Sequence, residues 1–144
     1  LALAGRLGWL YEPTLKQIEN SSCHNNVRLL GQVSDTDLPA LLSAATIFAF
    51  PSVYEGFGLP PLEAMACSTP VVCSNTSSLP EVVGEAALMC DPFVIEDWHT
   101  QLHTLLLDKS LQEKHREIGL AHTKKFSWNS VAMATSQLYA KLLQ

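Results

Sequence analysis

Residues 51–66 read PSVYEGFGLPPLEAMA and follow directly on an apolar run that is typical of a buried strand. Gly56 and Gly58 allow the main chain to come close to a ligand and to adopt a positive φ at little cost. Pro60 and Pro61 suit the first turn of a helix, where their missing N–H groups are not needed. A strand, a glycine-bearing turn and a helix start present unpaired backbone N–H groups to an anion. The stretch therefore predicts a phosphate-type anion site at the start of a helix.

Two carboxylates accompany this predicted site. Glu55 precedes the Gly-Phe-Gly step, and Glu63 falls about one turn into the predicted helix, facing the same opening as the loop. The amides expected to be free are those of Gly56, Phe57, Gly58 and Leu59. On residue types alone, a tight strand-to-helix turn with solvent-facing carboxylates is favoured over an anion site.

Length and composition limit the class of protein. The chain has 144 residues, 47% of them hydrophobic and 16% charged, which is typical of one well-buried α/β domain. A net charge of −5 argues against binding to nucleic acid or to anionic membranes. The four cysteines show no CxxC spacing, so we expect reduced and mostly buried thiols in a cytoplasmic protein: Cys23, Cys67, Cys73 and Cys90.

Apolar runs alternate with amphipathic segments along the chain. The predicted strands cover residues 1–4, 27–30, 46–50, 71–73 and 86–90, with the first buried and the third central in its sheet. The predicted helices cover residues 12–21, 35–45, 59–67, 79–84, 94–107, 110–124 and 127–142, with Ser127 as the N-cap of the last. This alternation predicts a parallel sheet with helices on both faces and a ligand at the carboxyl ends of the strands.

The order of residues in this stretch also resembles the signature of a known family. Glu55-x7-Glu63 within PSVYEGFGLPPLEAMA, followed by TPVV at 69–72, resembles the signature of retaining, nucleotide-sugar-dependent glycosyltransferases of group 1 (family 4). The resemblance continues through SSLPEVVGEAAL, DP and FSW and covers essentially the whole chain. It implies an α/β, Rossmann-like fold, the C-terminal domain of a GT-B enzyme. Because residues 1–5 read as a strand already in progress, we expect a fragment: one sugar-nucleotide-binding domain over 1–144, without its first strand and helix and without the N-terminal acceptor domain.

The family's chemistry then supplies expectations for this chain. They are the transfer of a mannose- or glucose-like sugar, with retention of configuration, from a GDP- or UDP-linked donor to a hydroxyl of an acceptor glycan, lipid or protein, as in polysaccharide biosynthesis. The site residues that the resemblance implies are Glu55, Gly56, Phe57, Gly58, Leu59, Glu63 and Val33.

Each of these residues has an implied role. Glu55 is the residue assigned to catalysis, where it holds donor-sugar hydroxyls and is not a covalent nucleophile. The backbone of residues 56–58 lines the sugar pocket, and the N–H of Leu59 with the helix start binds the diphosphate. Glu63 holds the ribose hydroxyls, and Val33 with Gln32 lies against the base. A carboxylate reads a vicinal diol well because it accepts two hydrogen bonds, and helix-terminal amides stabilise a leaving diphosphate.

Two patterns could suggest a metal. Asp35-Thr36-Asp37 matches the DxD pattern by which another glycosyltransferase fold holds Mn²⁺, but aspartates at a helix start also cap free N–H groups, which is the reading we favour. His99 and His103 are one helical turn apart without an evident third ligand. We expect no metal and no cofactor, with the nucleotide sugar as a substrate.

The chain departs from the family pattern at two positions. The family's Arg/Lys pair lies upstream of this chain, and Arg6 matches it poorly, so a loop-surface arginine is the favoured interpretation. Glycine is usual where Ser68 stands, and a positive φ there would strain a serine by about 1 kcal/mol.

Aromatic residues are spaced along the C-terminal helices, and we interpret them as packing residues: Trp98, Phe126, Trp128 and Tyr139. In the family, the last helix instead docks against the N-terminal domain. In that case an apolar strip on the last helix should lie exposed in this chain.

Other functions stay open. They are a non-catalytic sugar-nucleotide-binding module, a gene remnant, and another GT-B enzyme such as a sugar-nucleotide epimerase. We expect the isolated fragment to be inactive as a transferase because half of the cleft is absent. We expect the full-length enzyme to be cytoplasmic, with peripheral attachment at the inner face of the membrane as a further possibility.

Overall fold

The computed structural model describes residues 1–143 and divides into two compact units, Leu1–Leu38 and Pro39–Gln144. The strands are β1 (Ala2–Ala4), β2 (Arg28–Gly31), β3 (Phe48–Phe50), β4 (Val71–Ser74) and β5 (Leu88–Cys90). The helices are α1 (Glu12–Glu19), α2 (Leu38–Ala44), α3 (Leu59–Ala66), α4 (Leu79–Val83), α5 (Ile95–Leu107), α6 (Lys109–Thr123) and α7 (Trp128–Leu142). Short 3-10 turns cover His24–Asn26 and Gly84–Ala86. The predicted order of elements is confirmed, with ends displaced by a few residues at most.

The first unit is a small β–α–β arrangement. β1 and β2 pair in parallel, with Ala2 opposite Arg28 and Leu3 opposite Leu29. The prediction that β1 is buried is wrong, because Ala2 and Ala4 are exposed and no residue in 1–38 is buried. A two-stranded ladder with a single helix has too little surface to cover both of its own faces.

The second unit carries the core. β3, β4 and β5 pair in parallel in that order, with Phe48 opposite Val71 and Val72 opposite Leu88. Every residue of β4 is buried, and because successive side chains point to opposite faces, both faces of this strand are covered. Val72 packs with Cys90 and with Leu105 of α5. The predicted α/β class, parallel strands flanked by helices, is confirmed.

The prediction that the third strand is central is wrong for this ladder. β3 lies at one edge of it, Ala49 is exposed, and Phe48 and Phe50 are half-buried. The uninterrupted apolar character of residues 46–50 suggests burial on two sides, but within this unit only β4 has a strand on each side.

Helix α6 packs against α3 at one close approach. A Cβ added to Gly119 would lie 3.1 Å from Cγ of Met65, a side chain that is 1% exposed. Glycine therefore lets the two helix backbones come nearer than alanine would.

Side chains cap the starts of some helices, and α1, α3, α4 and α5 have no side-chain cap. At α2 the hydroxyl of Ser34 accepts from the N–H of Asp37 at 3.2 Å and donates to its carboxylate at 2.7 Å. The prediction that the aspartates cap this helix is therefore wrong, because Asp37 lies too far into the turn and Ser34 takes that place. Ser127 accepts from the N–H of Ser130 at 3.1 Å, so the predicted cap of α7 is confirmed. No helix within residues 1–143 combines the length and the apolar character that crossing a membrane requires.

The turn before β4 has the backbone conformation that glycine would favour. Ser68 has a φ of +57°, so the positive φ that would strain a serine at this position is present. The guanidinium of Arg116 on α6 donates to the Ser68 carbonyl at 2.7 Å. This contact fixes the turn in spite of the local strain.

The cysteines are all unpaired, as predicted. Cys73 and Cys90 are buried on neighbouring strands, whereas Cys67 is half-buried and Cys23 is exposed. The prediction that the thiols are buried is therefore confirmed for two of the four cysteines.

Candidate functional site

The candidate site begins where β3 ends. Residues 51–58 connect β3 to α3, and we call this segment the 51–58 loop. The connection after β4, residues 75–78, leaves the same edge of the ladder, since the three strands are parallel. The 51–58 loop therefore lies at the carboxyl edge of the sheet, where the sequence predicted a ligand.

Gly58 is the residue that shapes the end of the loop. It precedes α3 with φ of +110° and ψ of +51°, a conformation that L side chains rarely adopt. A Cβ at this position would also lie 2.7 Å from Cδ2 of Leu79. Gly56 has neither constraint, because its φ is not in the positive region and an added Cβ would meet open space. The predicted positive φ is therefore confirmed at Gly58 and wrong at Gly56, and the close approach of either glycine to a ligand stays a prediction.

The loop leaves backbone donors free at the helix start. Within residues 1–143, no protein acceptor receives a hydrogen bond from the amides of residues 56–59. Pro60 and Pro61 follow in the first turn of α3, where they have no N–H to satisfy. The structure thus contains the predicted run of unpaired amides, and their contact with a ligand stays a prediction.

The two carboxylates differ in their surroundings. Glu55 is half-buried, and the hydroxyl of Ser52 donates to its Oε1 at 2.8 Å. Glu63 is exposed on α3, and no side chain within residues 1–143 donates to it. The structure therefore places Glu55 and residues 56–58 in one loop, with Leu59 and Glu63 on the helix that this loop enters.

The residue predicted at the base belongs to the first unit. Val33 follows β2 and is half-buried. Beside it, Gln32 accepts a hydrogen bond at 2.7 Å from Nε of Arg6, which follows β1. The structure thus supports the reading of Arg6 as an exposed loop residue, held by an uncharged partner.

Phe57 makes a side-chain contact that the sequence did not predict. Its ring is 47% exposed and meets Phe126 edge-on, with 6.1 Å between the ring centroids. Phe126 in turn lies 5.4 Å from the His122 ring, so its predicted packing role is confirmed. Packing is also confirmed for Trp98, which borders the core around Val72.

Several hydroxyl side chains around Glu55 were missed. Ser52 bonds its carboxylate, and Thr76, Ser77 and Ser78 bond the backbone of the 51–58 loop. The available signal was a run of hydroxyl residues that directly follows a buried parallel strand, because such a run lies at the same sheet edge as the other loops.

No group of three or more His, Cys, Asp or Glu side chains within residues 1–143 is arranged to hold a metal ion. His99 and His103 are exposed on α5 and stack on each other, with ring centroids 5.7 Å apart. These observations place no metal ligand set beside Glu55.

Comparison with known proteins gives the family of this chain. A family model described as glycosyl transferases group 1 matches residues 1–122. Over 143 residues the chain is 46% identical to O-antigen chain mannosyltransferase B of Escherichia coli, covering 99% of this chain and 37% of that protein. The chain thus spans well under half the length of the curated relatives it matches.

Solved structures agree on the fold. Sucrose-phosphate synthase of Thermosynechococcus elongatus superposes with a TM-score of 0.84 at 28% identity, covering 99% of this chain and 38% of that one. Anabaena Alr3699/HepE, solved in complex with UDP, superposes with a TM-score of 0.86 at 22% identity, covering 97% of this chain and 40% of that one. At 22% identity the second likeness shows the fold alone. The predicted GT-B relationship is confirmed, and the chain belongs to the glycosyl transferases group 1 family.

Proposed function

We propose that this chain holds the nucleotide-sugar donor of an enzyme that transfers mannose to an acceptor hydroxyl with retention of configuration. The observation that carries the proposal is the 51–58 loop. The loop and the first residue of α3 present four unpaired backbone amides, those of residues 56–59. Along the chain these amides follow the half-buried Glu55 and precede the exposed Glu63. The choice of mannose follows the name of the relative that is 46% identical.

We assign a different part of the donor to each of these groups. The free amides at the start of α3 suit the diphosphate, on which negative charge grows as the glycosidic bond breaks. Glu63 is exposed and uncommitted, so it is able to accept hydrogen bonds from the ribose diol. Glu55, already oriented by Ser52, would accept from hydroxyls of the sugar.

This arrangement does not need Glu55 as a nucleophile. In retaining glycosidases, two carboxylates flank the bond that breaks and act as acid and nucleophile. Here the two acids flank a run of amides, so we assign one to the sugar and the other to the ribose. We propose that retention comes from attack of the acceptor on the same face from which the diphosphate leaves, and that neither a metal nor a cofactor takes part.

The partners of the whole protein are also proposals. The donor carries GDP or UDP, the acceptor is a glycan, a lipid or a protein, and an N-terminal domain supplies the acceptor side of the cleft, with no role for nucleic acid. We place the reaction in the cytoplasm, because four unpaired thiols suit a reducing compartment, and peripheral attachment at the inner face of the membrane stays a prediction.

Calorimetric titration of GDP, UDP and ADP against the purified chain tests the donor assignment. We expect GDP or UDP to bind, and Glu63→Ala to weaken that binding by about 1–3 kcal/mol, because a hydrogen bond to a charged group is lost. Glu113→Ala is the matched control, since Glu113 is an exposed glutamate of α6. An unchanged affinity in Glu63→Ala would remove Glu63 from the site.

The same preparation tests the alternatives. A non-catalytic module would bind nucleotide but would not support transfer when joined to the N-terminal domain, and a remnant would not bind at all. We expect the isolated chain to bind without transferring sugar. Robust transfer by the isolated chain would contradict our assignment of the acceptor side to another domain.

A further inference from the structure

One connection supplies four of the six hydrogen bonds of the 51–58 loop, and the other two come from the hydroxyl of Ser52 within the loop. Within the described chain, no backbone–backbone hydrogen bond outside helices and strands involves residues 51–58. Residues 76–78, which follow β4, bond the loop's backbone through their side chains instead. Loops usually satisfy their backbone groups with their own turns or with water, so a loop held by the hydroxyls of one other loop is a specific arrangement.

The contacts are short and use each hydroxyl of the three-residue run. Thr76 Oγ1 donates to the Val53 carbonyl at 3.0 Å. Ser77 Oγ accepts from the Glu55 amide at 3.0 Å. Ser78 Oγ contacts two carbonyls, that of Glu55 at 3.0 Å and that of Phe57 at 2.8 Å.

These contacts converge on Glu55. Its N–H meets Ser77, its carbonyl meets Ser78, and its carboxylate meets Ser52 at 2.8 Å. Serine hydroxyls therefore bond the N–H, the carbonyl and one carboxylate oxygen of Glu55, and two of these hydroxyls belong to the 75–78 connection.

The 75–78 connection is itself firmly placed. The Asn75 amide donates to the Cys90 carbonyl of β5 at 2.8 Å, and Leu79, at the start of α4, is 0% exposed. Between these fixed ends Ser77 has a φ of +53°, which L side chains rarely adopt. Strained residues persist where the surrounding structure over-determines them, and they cluster at functional sites. Here the strained residue is the one whose hydroxyl receives the Glu55 amide.

We propose that Thr76, Ser77 and Ser78 are positioning residues that hold the 51–58 loop in the shape in which Glu55 meets the donor sugar. The inference rests on the proposed function of Glu55 and adds residues that do not touch the donor themselves. A preorganised site loses less binding free energy to the ordering of its own loop when the substrate binds. The sugar-binding part of the loop is held by the hydroxyls, whereas α3 is placed by its own packing through Met65.

The first measurement needs no ligand. Hydrogen exchange of the Glu55 amide is followed by NMR in the wild-type chain and in Ser77→Ala, and we expect exchange about tenfold faster in the variant. Ser77→Gly removes the same hydroxyl while relieving the positive φ, so it tests the contact even if the alanine variant folds poorly. Thr135→Ala is the control, because Thr135 bonds only the Val131 carbonyl within α7. Unchanged exchange in both Ser77 variants would overturn the proposal.

The second measurement concerns sugar discrimination. The ratio of the affinities for GDP-mannose and GDP, or for UDP-mannose and UDP if uridine binds better, is compared between wild type and Ser78→Ala. We expect this ratio to fall about tenfold while the affinity for the free nucleotide changes less than about threefold, and Ser78→Thr to restore it. A merely structural role would lower both affinities together.

The two measurements separate the proposals. If the wild type binds no nucleotide, the proposed function fails, and the exchange of the Glu55 amide still decides whether the hydroxyls hold the loop. If the wild type prefers the sugar nucleotide and Ser78→Ala keeps that preference, the positioning role is wrong and the donor site stands.

Discussion

Gly58 shows how one atom can determine the shape of the candidate site. Its φ of +110° already disfavours any L side chain, and Cδ2 of Leu79 occupies the place of a Cβ at 2.7 Å. The flexible end of the Leu79 side chain could shift, but Leu79 is fully buried, so the shift would disturb the core. Two independent costs therefore fall on the same substitution.

We expect Gly58→Ala to lower the free energy of unfolding by about 2–4 kcal/mol, the sum of the backbone strain and the overpacking. Urea denaturation followed by circular dichroism measures this change. Gly56→Ala is the matched control from the same loop, and we expect a change below about 0.5 kcal/mol because its Cβ would meet open space. If both variants lose the same free energy of unfolding, neither the positive φ of Gly58 nor its contact with Leu79 explains the loss.

The contrast between Gly58 and Ser77 shows what the sequence could predict at single residues. The need for glycine before α3 could be predicted because Gly58 and the two prolines of the first helical turn, Pro60 and Pro61, lie within four consecutive residues. The bond from Glu55 to Ser77 joins residues 22 positions apart, and it exists only because β3 and β4 pair in one particular register. Sequence patterns predict that both loops share an edge, but they do not predict which hydroxyl meets which amide.

Among the elements, the paired strands β4 and β5 carry a buried pair of thiols. Burial, with Cys90 nearby, raises the pKa of Cys73 from its ordinary 9.0 to about 12. Burial also raises the pKa of Cys90, and the carboxylate of Asp97 adds to the effect. Both thiols therefore stay protonated in the folded chain at a pH where the unfolded chain has lost those protons.

The sign of the pH dependence follows directly. The stability that Cys73 contributes is fully present below pH 9, where the thiol is protonated in both states. Between about pH 9 and pH 12 the unfolded chain binds fewer protons, so the free energy of unfolding falls by about 1.4 kcal/mol per pH unit on account of this thiol. We expect the alkaline slope to be shallower in Cys73→Ala, measured by urea denaturation at several pH values from 8 upward.

Comparing slopes, rather than absolute stabilities, removes the cost of the cavity that alanine leaves in the core. Cys23→Ala is the control, because it removes an exposed thiol and leaves Cys73 in place. If Cys73→Ala keeps the wild-type slope, the buried thiol is not the group that titrates.

Helices and strands were predictable as elements because their periodicity and end signals are local. Ser127 was predicted as a cap and is one. At α2 the capping hydroxyl is instead that of Ser34, which lies one residue before the predicted start of the helix at Asp35. Burial was the weaker inference. The apolar letters of β1 and β3 are those of buried strands, but how much of a strand is covered depends on neighbours that its own sequence does not describe.

At the level of the whole molecule, α7 leaves its apolar residues largely exposed within residues 1–143. None of its residues is buried, and one face carries Trp128, Val131, Leu138 and Leu142, exposed by 81%, 55%, 55% and 74%. The prediction that Trp128 and Tyr139 serve as packing residues is therefore wrong here. The alternative expectation, an apolar strip left exposed in this chain, is confirmed by these exposures, and docking of that strip stays a prediction.

We expect α7 to be marginal in the isolated chain and stable in the full-length protein, where we propose that the N-terminal domain covers its strip. A helix of 15 residues with no buried residue gains too little from propagation and packing to offset nucleation, so its amides should be among the fastest-exchanging helical amides of the chain. Hydrogen exchange read by mass spectrometry compares α7 with α6, whose His115 and Gly119 are buried. In the full-length protein, Leu138→Ser should restore fast exchange in α7, whereas Met133→Ser, an exposed apolar residue outside the strip, should not. Equal protection of α7 in the two lengths of chain would mean that its apolar face has no partner in the rest of the protein.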